Sequence, residues 1–199
     1  MALPAIPAAP PARRPTRPRI TLVGTALASA GTFMAFASLI GVYLAVRSQT
    51  IARSGIWFPK GTTIPLTPAN ITLFTFALSI VSMQWAVHAV GRGDHQHAGM
   101  ALLLTLLFGA STINATSFLW SQMGLSVRSS AAGVLVYVIT GAHVAMTVAA
   151  MVYAAVMTFR TLGGDYTGRD REGIAAAALF WYVTCAVYVL VWYAIYVTK

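Results

Sequence analysis

The chain has 199 residues, of which 58% are hydrophobic and only 9% are charged. Because soluble domains carry about 25% charged residues, this composition excludes a protein whose surface faces water on all sides. Thirteen lysines and arginines stand against four acids, for a net charge of +9. The basic residues are scattered between apolar segments and form no patch, so we interpret them as membrane-orienting loop residues and exclude nucleic acid as a partner.

The N-terminal segment differs from the rest of the chain. Residues 1–19, MALPAIPAAPPARRPTRPR, are rich in proline, alanine and arginine. Proline interrupts a regular helix because it lacks a backbone N–H, and the segment has little apolar surface to bury. We predict a disordered, Pro/Arg-rich cytoplasmic tail over residues 1–19 and a single membrane domain over residues 20–199.

Five uncharged apolar segments follow the tail. Their approximate cores are Ile20–Val46, Ala69–Val90, Ala98–Leu119, Ala131–Phe159 and Gly173–Val197. Each exceeds the roughly 20 residues that cross a hydrocarbon core as a helix. Transmembrane β-strands would be shorter and would alternate in polarity. The sequence therefore predicts an all-α integral membrane bundle of five transmembrane helices.

One connection is long, and the other three are short. Residues 47–68 hold three prolines and the aromatic pair Trp57-Phe58, so we expect a loop that packs over the membrane face with its aromatic rings at the interface. The last connection, residues 161–172, is polar and glycine-rich, as is typical of a loop.

The positive charges indicate an orientation for the bundle. Eight lysines and arginines fall on the side of the N-terminus: Arg13, Arg14, Arg17, Arg19, Arg92, Arg160, Arg169 and Arg171. Five fall on the other side: Arg47, Arg53, Lys60, Arg128 and Lys199. Cytoplasmic connections carry the excess of positive charge, so we expect the N-terminus inside the cell and the C-terminus outside.

Few ionisable residues lie where they could form a catalytic site inside the membrane. The four acids are Asp94, Asp165, Asp170 and Glu172, and all of them fall between the apolar segments. His143 is the histidine placed deep in a span, where an ionisable group is a functional candidate by default. Without a carboxylate partner in any span, we interpret it as a neutral imidazole bonded to a neighbouring helix.

The remaining site signals are weak. His95 and His97 lie in the turn RGDHQH and could hold a loose ion with Asp94, but we interpret them as a solvated polar turn. The single Cys185 excludes a disulfide framework. Small residues spaced four apart suggest close helix packing, although alanine is abundant throughout. These stripes are Gly24 and Ala28, Ala37 and Gly41, and Gly141, Ala145 and Ala149.

The last span is rich in aromatic side chains, from Phe180 to Tyr196. Two tyrosines, Tyr182 and Tyr188, fall inside the hydrocarbon region, where a hydroxyl requires a hydrogen-bond partner. We therefore expect this span to pack against other helices of the bundle.

In order and spacing, these segments resemble the short bacterial form of cytochrome c oxidase subunit III. FMAFASLIGVYLAVRS (residues 33–48) is similar to the family's E-L-M-F-F-A-G-L-F stretch, and Trp57 and Pro59 fall on its W-P-P loop. Arg92-Gly93-Asp94 matches an R-G-D or R-G-N turn. ITGAHVAMT (residues 139–147) is similar to T-G-F-H-G-x-H-V, and residues 180–197 are similar to the Y-W-H-F-V-D ending.

The polar signature of that family is mostly absent from this chain. Residues at the family's glutamate, histidine and aspartate positions are Thr32, Leu119, Met146, Tyr182 and Cys185. His143 and Trp181 match. The resemblance therefore marks Thr32, His143 and Trp181 as interior positions, and it suggests a chain that kept the shape of the family and lost its intramembrane polar network.

The resemblance implies a function. It implies a membrane subunit without catalytic residues, cofactor or metal of its own, flanking a subunit I-like catalytic partner that carries haem and copper and reduces oxygen with proton translocation. It further implies phospholipid binding in a bacterial inner membrane, for which Trp57, Arg92 and Asp94 are candidate headgroup or interface contacts.

Two alternatives remain open at the level of the sequence. A small transporter or channel would use Asn114, Thr116 and His143 as pore residues, although the spans contain no inverted repeat. A stand-alone membrane enzyme would use His143 with a metal ion, although few ligands accompany it.

Overall fold

The computed structural model describes residues 19–128, 130–166 and 171–198. Five α-helices make up the bundle: α1 Ile20–Ser54, α2 Leu66–Gly91, α3 His95–Gln122, α4 Ala131–Leu162 and α5 Glu172–Val191. All five are long and apolar enough to cross a membrane, which confirms the predicted fold class. The predicted tail lies outside the described residues, except for Arg19, as do Arg169, Asp170 and Lys199.

The first helix is longer than its apolar core. α1 continues through Ser54 and ends at Gly55, which has a left-handed φ of 74°. The prediction of a loop over residues 47–68 was therefore wrong for residues 47–54 and for residues 66–68, which begin α2. Hydrophobicity ends near Val46, but backbone hydrogen bonding continues because the polar residues that follow are compatible with a helix. The helix ends at Gly55, the first position with a left-handed backbone conformation, which glycine adopts without a steric penalty.

The connection between α1 and α2 turns its tryptophan inward. The Trp57 ring is 8% exposed, and its indole N–H donates a hydrogen bond of 3.1 Å to the hydroxyl of Tyr43. The two rings meet edge to face, with centroids 5.5 Å apart. We expected Trp57 at the lipid interface, but its need for a hydrogen-bond acceptor is met inside the bundle.

The fifth helix lies at the centre of the bundle. α5 packs against α1, α2 and α4, while α2 and α3 form a tightly packed antiparallel pair. Beyond Val191 the chain continues as a π-helical segment, Trp192–Val197. The guanidinium of Arg47 donates to the Thr198 hydroxyl at 2.9 Å, so the end of this segment is attached to α1.

The small-residue stripes do not mark the close helix contacts. A Cβ added at Gly24, Gly41 or Gly141 would meet no other atom within 4 Å, whereas one added at Gly109 would lie 2.9 Å from both Met151 and Trp181. The packing seam expected at the three stripes is therefore absent at these glycines. Close approach depends on a large side chain opposite the glycine, and spacing along one helix does not reveal that neighbour.

Candidate functional site

His143 lies at the junction of four helices. Its side chain belongs to α4, and only 4% of the residue is exposed. Three aromatic rings surround it: Phe36 of α1 at 6.1 Å, Phe76 of α2 at 5.6 Å and Tyr188 of α5 at 5.3 Å between centroids. The imidazole therefore fills an aromatic pocket inside the bundle.

The hydrogen bond made by His143 ties α4 to α5. The Nε2 atom lies 3.0 Å from the backbone carbonyl oxygen of Thr184. Because a carbonyl only accepts, Nε2 is the donor and carries a proton. None of the rings that surround the imidazole bears a negative charge. This agrees with the interpretation of a neutral imidazole bonded to a neighbouring helix.

A second polar cluster adjoins the first on α5, and we call it the Trp181 cluster. Trp181 is completely buried, and its indole N–H donates a 2.9 Å hydrogen bond to the hydroxyl of Ser79 on α2. That hydroxyl donates in turn to the carbonyl of Phe76 at 2.7 Å. The thiol of Cys185 lies 3.8 Å from the hydroxyl oxygen of Ser79. The side chains of Trp181, Ser79 and Cys185 are all neutral groups held inside the membrane span.

The α2–α3 pair contains a related contact. The hydroxyls of Ser82 and Thr105 are 2.7 Å apart, and both residues are buried. Thr105 also donates to the carbonyl of Ala101 at 2.9 Å. The buried polar groups of this pair are thus hydroxyls that bond across the two helices and to the backbone, as is common in membrane bundles.

The positions at which the resemblance places carboxylates carry neutral substitutes. Thr32 is only partly buried, and its hydroxyl donates to the Ala28 carbonyl of its own helix at 2.8 Å. Leu119 is 2% exposed and packs in the apolar core at the α3 C-terminus. Cys185 belongs to the Trp181 cluster. His143 of α4 bonds to the carbonyl of Thr184, about one turn beyond Trp181 on α5, whereas the Thr32 hydroxyl bonds within α1.

The α2–α3 turn holds the remaining candidates. The Asp94 carboxylate accepts from the backbone N–H of His97 at 3.1 Å and lies 2.7 Å from Nδ1 of the same residue. The backbone hydrogen bond is the main reason that the pKa of Asp94 lies below its usual range. Arg92, the other candidate of this turn, acts on the Asp94 carboxylate only as a nearby charge.

This turn does not assemble metal ligands. His97 is occupied by Asp94, while Nδ1 of His95 is buried without a hydrogen-bond partner among the described residues. In residues 19–128, 130–166 and 171–198, no three histidine, cysteine, aspartate or glutamate side chains converge as metal ligands. His95 and His97 belong to the first turn of α3, with Asp94 as its N-cap, so the prediction of a loop turn was wrong for these two residues.

The sequence model of the family described as "Cytochrome c oxidase subunit III" matches residues 21–199 of the chain. The chain belongs to this family. A probable cytochrome c oxidase subunit 3 from Nocardia farcinica is 25% identical over 186 residues, which cover 92% of this chain and 90% of that protein. This subunit III-family chain is a multi-pass membrane protein with five spanning helices.

Animal relatives extend the comparison. Cytochrome c oxidase subunit 3 of Rattus norvegicus is 27% identical over 145 residues, 71% of this chain and 55% of the relative. The Bos taurus protein of the same name is 25% identical over 178 residues, 88% of this chain and 66% of the relative. This chain therefore spans between about half and two thirds of the length of these animal proteins.

Several residues of the interior were missed at the level of the sequence. Ser79, Ser82 and Thr105 were not singled out, although small hydroxyl residues at membrane depth are a known signal of helix contacts. Glu172 was placed in a connection, yet its carboxylate accepts from the backbone N–H of Leu22 at 2.9 Å. No sequence pattern links residues that are 150 positions apart.

The pore residues of the alternative hypothesis do not come together. Asn114 is exposed on α3 and lines a lateral cavity whose walls include neither Thr116 nor His143. The Thr116 hydroxyl donates to the Thr112 carbonyl of its own helix at 2.9 Å. His143 is enclosed by aromatic rings.

Proposed function

We propose that this chain is a non-catalytic, cofactor-free membrane subunit of a haem–copper (cytochrome c) oxidase, or of a related respiratory complex, in a bacterial inner membrane. The observation that carries the proposal is the match to the subunit III family over residues 21–199. The haem and copper belong to the catalytic partner subunits, including a subunit I-like protein that reduces oxygen with proton translocation.

The interior of the bundle supports a stabilising role. His143 donates to a carbonyl of α5, and Trp181 donates to a hydroxyl of α2. These hydrogen bonds fix the relative positions of α2, α4 and α5 without any buried charge. A rigid bundle of this kind is suited to flanking a catalytic subunit and to holding phospholipid beside it.

The same interior argues against proton handling by this chain. Proton relays within membranes use chains of aspartate, glutamate and histidine. The described acids Asp94, Asp165 and Glu172 lie at helix ends or in turns, and His143 is surrounded by Phe36, Phe76 and Tyr188. We therefore assign proton translocation to the partner subunits.

The proposed orientation places the N-terminus in the cytoplasm and the C-terminus outside. The α2–α3 turn, with exposed Arg92 and partly exposed Asp94, then lies at the cytoplasmic lipid headgroups. Trp57 is a weaker lipid contact, since its ring is 8% exposed. A reporter enzyme that works only outside the cytoplasm, fused after residue 199, tests this orientation. We expect the fusion to be active.

Co-purification tests the proposal directly. The full chain, carrying an affinity tag, is extracted in mild detergent from its native membrane and examined by optical spectroscopy. We expect a haem-containing catalytic subunit to accompany it at a constant ratio. Purification without any haem protein, under conditions that preserve the bundle, would contradict the proposal.

A variant of His143 separates a structural role from transport. His143→Leu removes the hydrogen bond to α5, worth about 1 kcal/mol, so we expect less assembled complex with an unchanged spectrum of the haem that remains. His88→Leu, which makes the same change at an exposed position on α2, should leave assembly unchanged. Ion flux by the isolated chain in liposomes that the His143 variant abolishes would favour a channel.

A further inference from the structure

Two carboxamides of α2 lie beside α5 on one side of the bundle. Gln84 is exposed, and Asn70 is partly buried. The carboxamide oxygen of Gln84 accepts from the Tyr182 hydroxyl at 2.7 Å, and that of Asn70 accepts from the Trp192 indole N–H at 2.8 Å. Positions 70 and 84 are separated by about four helical turns, so both carboxamides lie on the same side of α2.

The nitrogen atoms of these two carboxamides are unused donors. Each carries two N–H groups, and neither bonds to any residue that the structure describes. Exposed hydroxyls on other helices behave differently, because Ser38 and Ser111 each donate to a carbonyl of their own helix. Gln84 and Asn70 therefore present donors for which the described part of the chain supplies no acceptor.

Gln84 lies within the hydrocarbon region of the membrane. α2 has 26 residues, so it is about 39 Å long and extends about 4–5 Å beyond each side of a hydrocarbon core of about 30 Å. Gln84 is about 10 Å along the axis from the helix end at Gly91, and hence about 6 Å inside the core. Acyl chains offer no acceptor at this depth, so the amide requires an acceptor from protein.

Small side chains occupy the surface between the two carboxamides. Ala77 lies midway between positions 70 and 84 on α2, and Ala186 lies about one turn beyond Tyr182 on α5. Both alanines are exposed, and small side chains allow another helix to approach closely. We call this surface the α2–α5 face, formed by Asn70, Ala77, Gln84, Tyr182 and Ala186.

The donors of the α2–α5 face favour a helix of a different protein over a second copy of this chain. A second copy would bring the same amide donors to the same depth, and its carboxamide oxygens already accept from α5. A transmembrane helix of another subunit can supply backbone carbonyl or hydroxyl oxygens there. Such hydrogen bonds contribute to the association of helices in membranes.

We propose that the α2–α5 face docks one transmembrane helix of another subunit of the respiratory complex. Backbone carbonyl or hydroxyl oxygens of that helix accept from the carboxamides of Gln84 and Asn70, and its backbone approaches most closely at Ala77. Gln84 is the main donor, because it lies deeper in the hydrocarbon core. The inference rests on the proposed function and identifies a surface through which the chain joins its assembly.

Photo-crosslinking in native membranes tests this face. The photoreactive residue p-benzoylphenylalanine replaces Val189 of α5, beside the α2–α5 face, in the tagged full chain. Val148 of α4 serves as the matched control position, because the two valines are 47% and 45% exposed. We expect the probe at position 189 to join a membrane-spanning segment of another subunit, with at least tenfold more of that adduct than the probe at position 148.

Variants separate docking from a bond that serves only the fold. Gln84→Leu removes the donors and should weaken association with the crosslinked subunit about fivefold, the effect of about 1 kcal/mol of lost hydrogen bonding. Tyr182→Phe removes only the bond within the chain and should leave association unchanged. Gln122→Leu makes the first change at an exposed position of α3 and should also have no effect. Circular dichroism confirms that each variant retains its helices.

Four results would overturn the inference. These are adducts at position 189 with lipid alone, adducts that join two copies of this chain, unchanged association in Gln84→Leu, and equal losses in Gln84→Leu and Tyr182→Phe. The second would assign the face to a dimer, and the fourth would assign Gln84 to the stability of the bundle. The haem spectrum of the co-purified wild-type sample reports separately on the proposed function, so the two failures are distinguishable.

Discussion

The first and fifth helices are both apolar enough to span a membrane, but they occupy opposite positions in the bundle. α1 buries three of its 35 residues, whereas α5 buries ten of its 20. Both are apolar spans without acidic residues in their membrane region. α1 lies at the edge of the bundle and contacts α5 and α4, while α5 lies between α1, α2 and α4.

The difference shows that apolar character selects the membrane spans but does not rank them within the bundle. Lipid is as apolar as leucine, so burial inside the bundle brings no hydrophobic gain. The position of α5 depends instead on packing and on hydrogen bonds to other helices, such as those of Trp181 to Ser79 and of Tyr188 to the Ala69 carbonyl. α1 has fewer contacts of this kind.

The largest effect is expected from the central helix. Trp181→Ala leaves a cavity beside Gly109 and removes the hydrogen bond to Ser79, so we expect a loss of about 3–5 kcal/mol in the free energy of unfolding. Phe33→Ala on α1, where the ring is 39% exposed, should cost less than about 1 kcal/mol. Unfolding by SDS in mixed micelles measures both, and equal losses would refute the contrast between the helices.

A smaller effect is expected where α5 holds the start of α1. Glu172→Ala removes the acceptor for the Leu22 N–H, so hydrogen exchange at this amide should become about fivefold faster, which corresponds to about 1 kcal/mol. Glu172→Gln retains an oxygen acceptor and should show a weaker change. Unchanged exchange in Glu172→Ala would mean that α1 is held at this end by packing alone.

The smallest effect is expected at the N-terminal cap of α3. This cap comes from a residue next to the helix, whereas the group that caps α1, Glu172, is 150 residues away in sequence. Asp94 accepts from the His97 N–H three residues later, and its pKa is lowered in the folded chain. A lowered pKa means that the cap stabilises α3 fully above the ordinary carboxyl range, near 4, and weakens as the pH falls through the lower folded value.

The amide resonance of His97 measures this effect. It should shift in acid in the wild-type chain, whereas Asp94→Asn keeps a capping oxygen without this titration and should lack that transition. Asp94→Ala at neutral pH should resemble the acid form. A shift in acid that persists in Asp94→Asn would assign the titration to His97 itself.

Much of the fold was predictable because a membrane tolerates few backbone conformations. The number of helices and the approximate ends of four of them follow from apolar segments long enough to span the bilayer. The end of α1 was missed, since helix hydrogen bonding continues beyond Val46 to Ser54. The need of Tyr182 and Tyr188 for partners was predicted correctly, and both hydroxyls have them.

Less of the candidate site was predictable. His143 was identified because an ionisable side chain in a span is conspicuous, and Trp181 because the family resemblance includes it. Ser79 and Gly109 were not identified, because serine and glycine are common in membrane helices and only their neighbours distinguish them. The inward turn of Trp57 was missed because the sequence does not show that Tyr43 lies within reach.

The sequence by itself determined the class of protein, the number of spans and the absence of carboxylates at the positions where the resemblance expected them. These properties depend on composition and on the order of segments along the chain, because each segment enters the membrane according to its own apolar character. The tertiary structure alone decided that α5 is central, that Glu172 caps α1 and that Asn114 faces a cavity. Those outcomes depend on side chains up to 150 positions apart, whose meeting is set by helix packing.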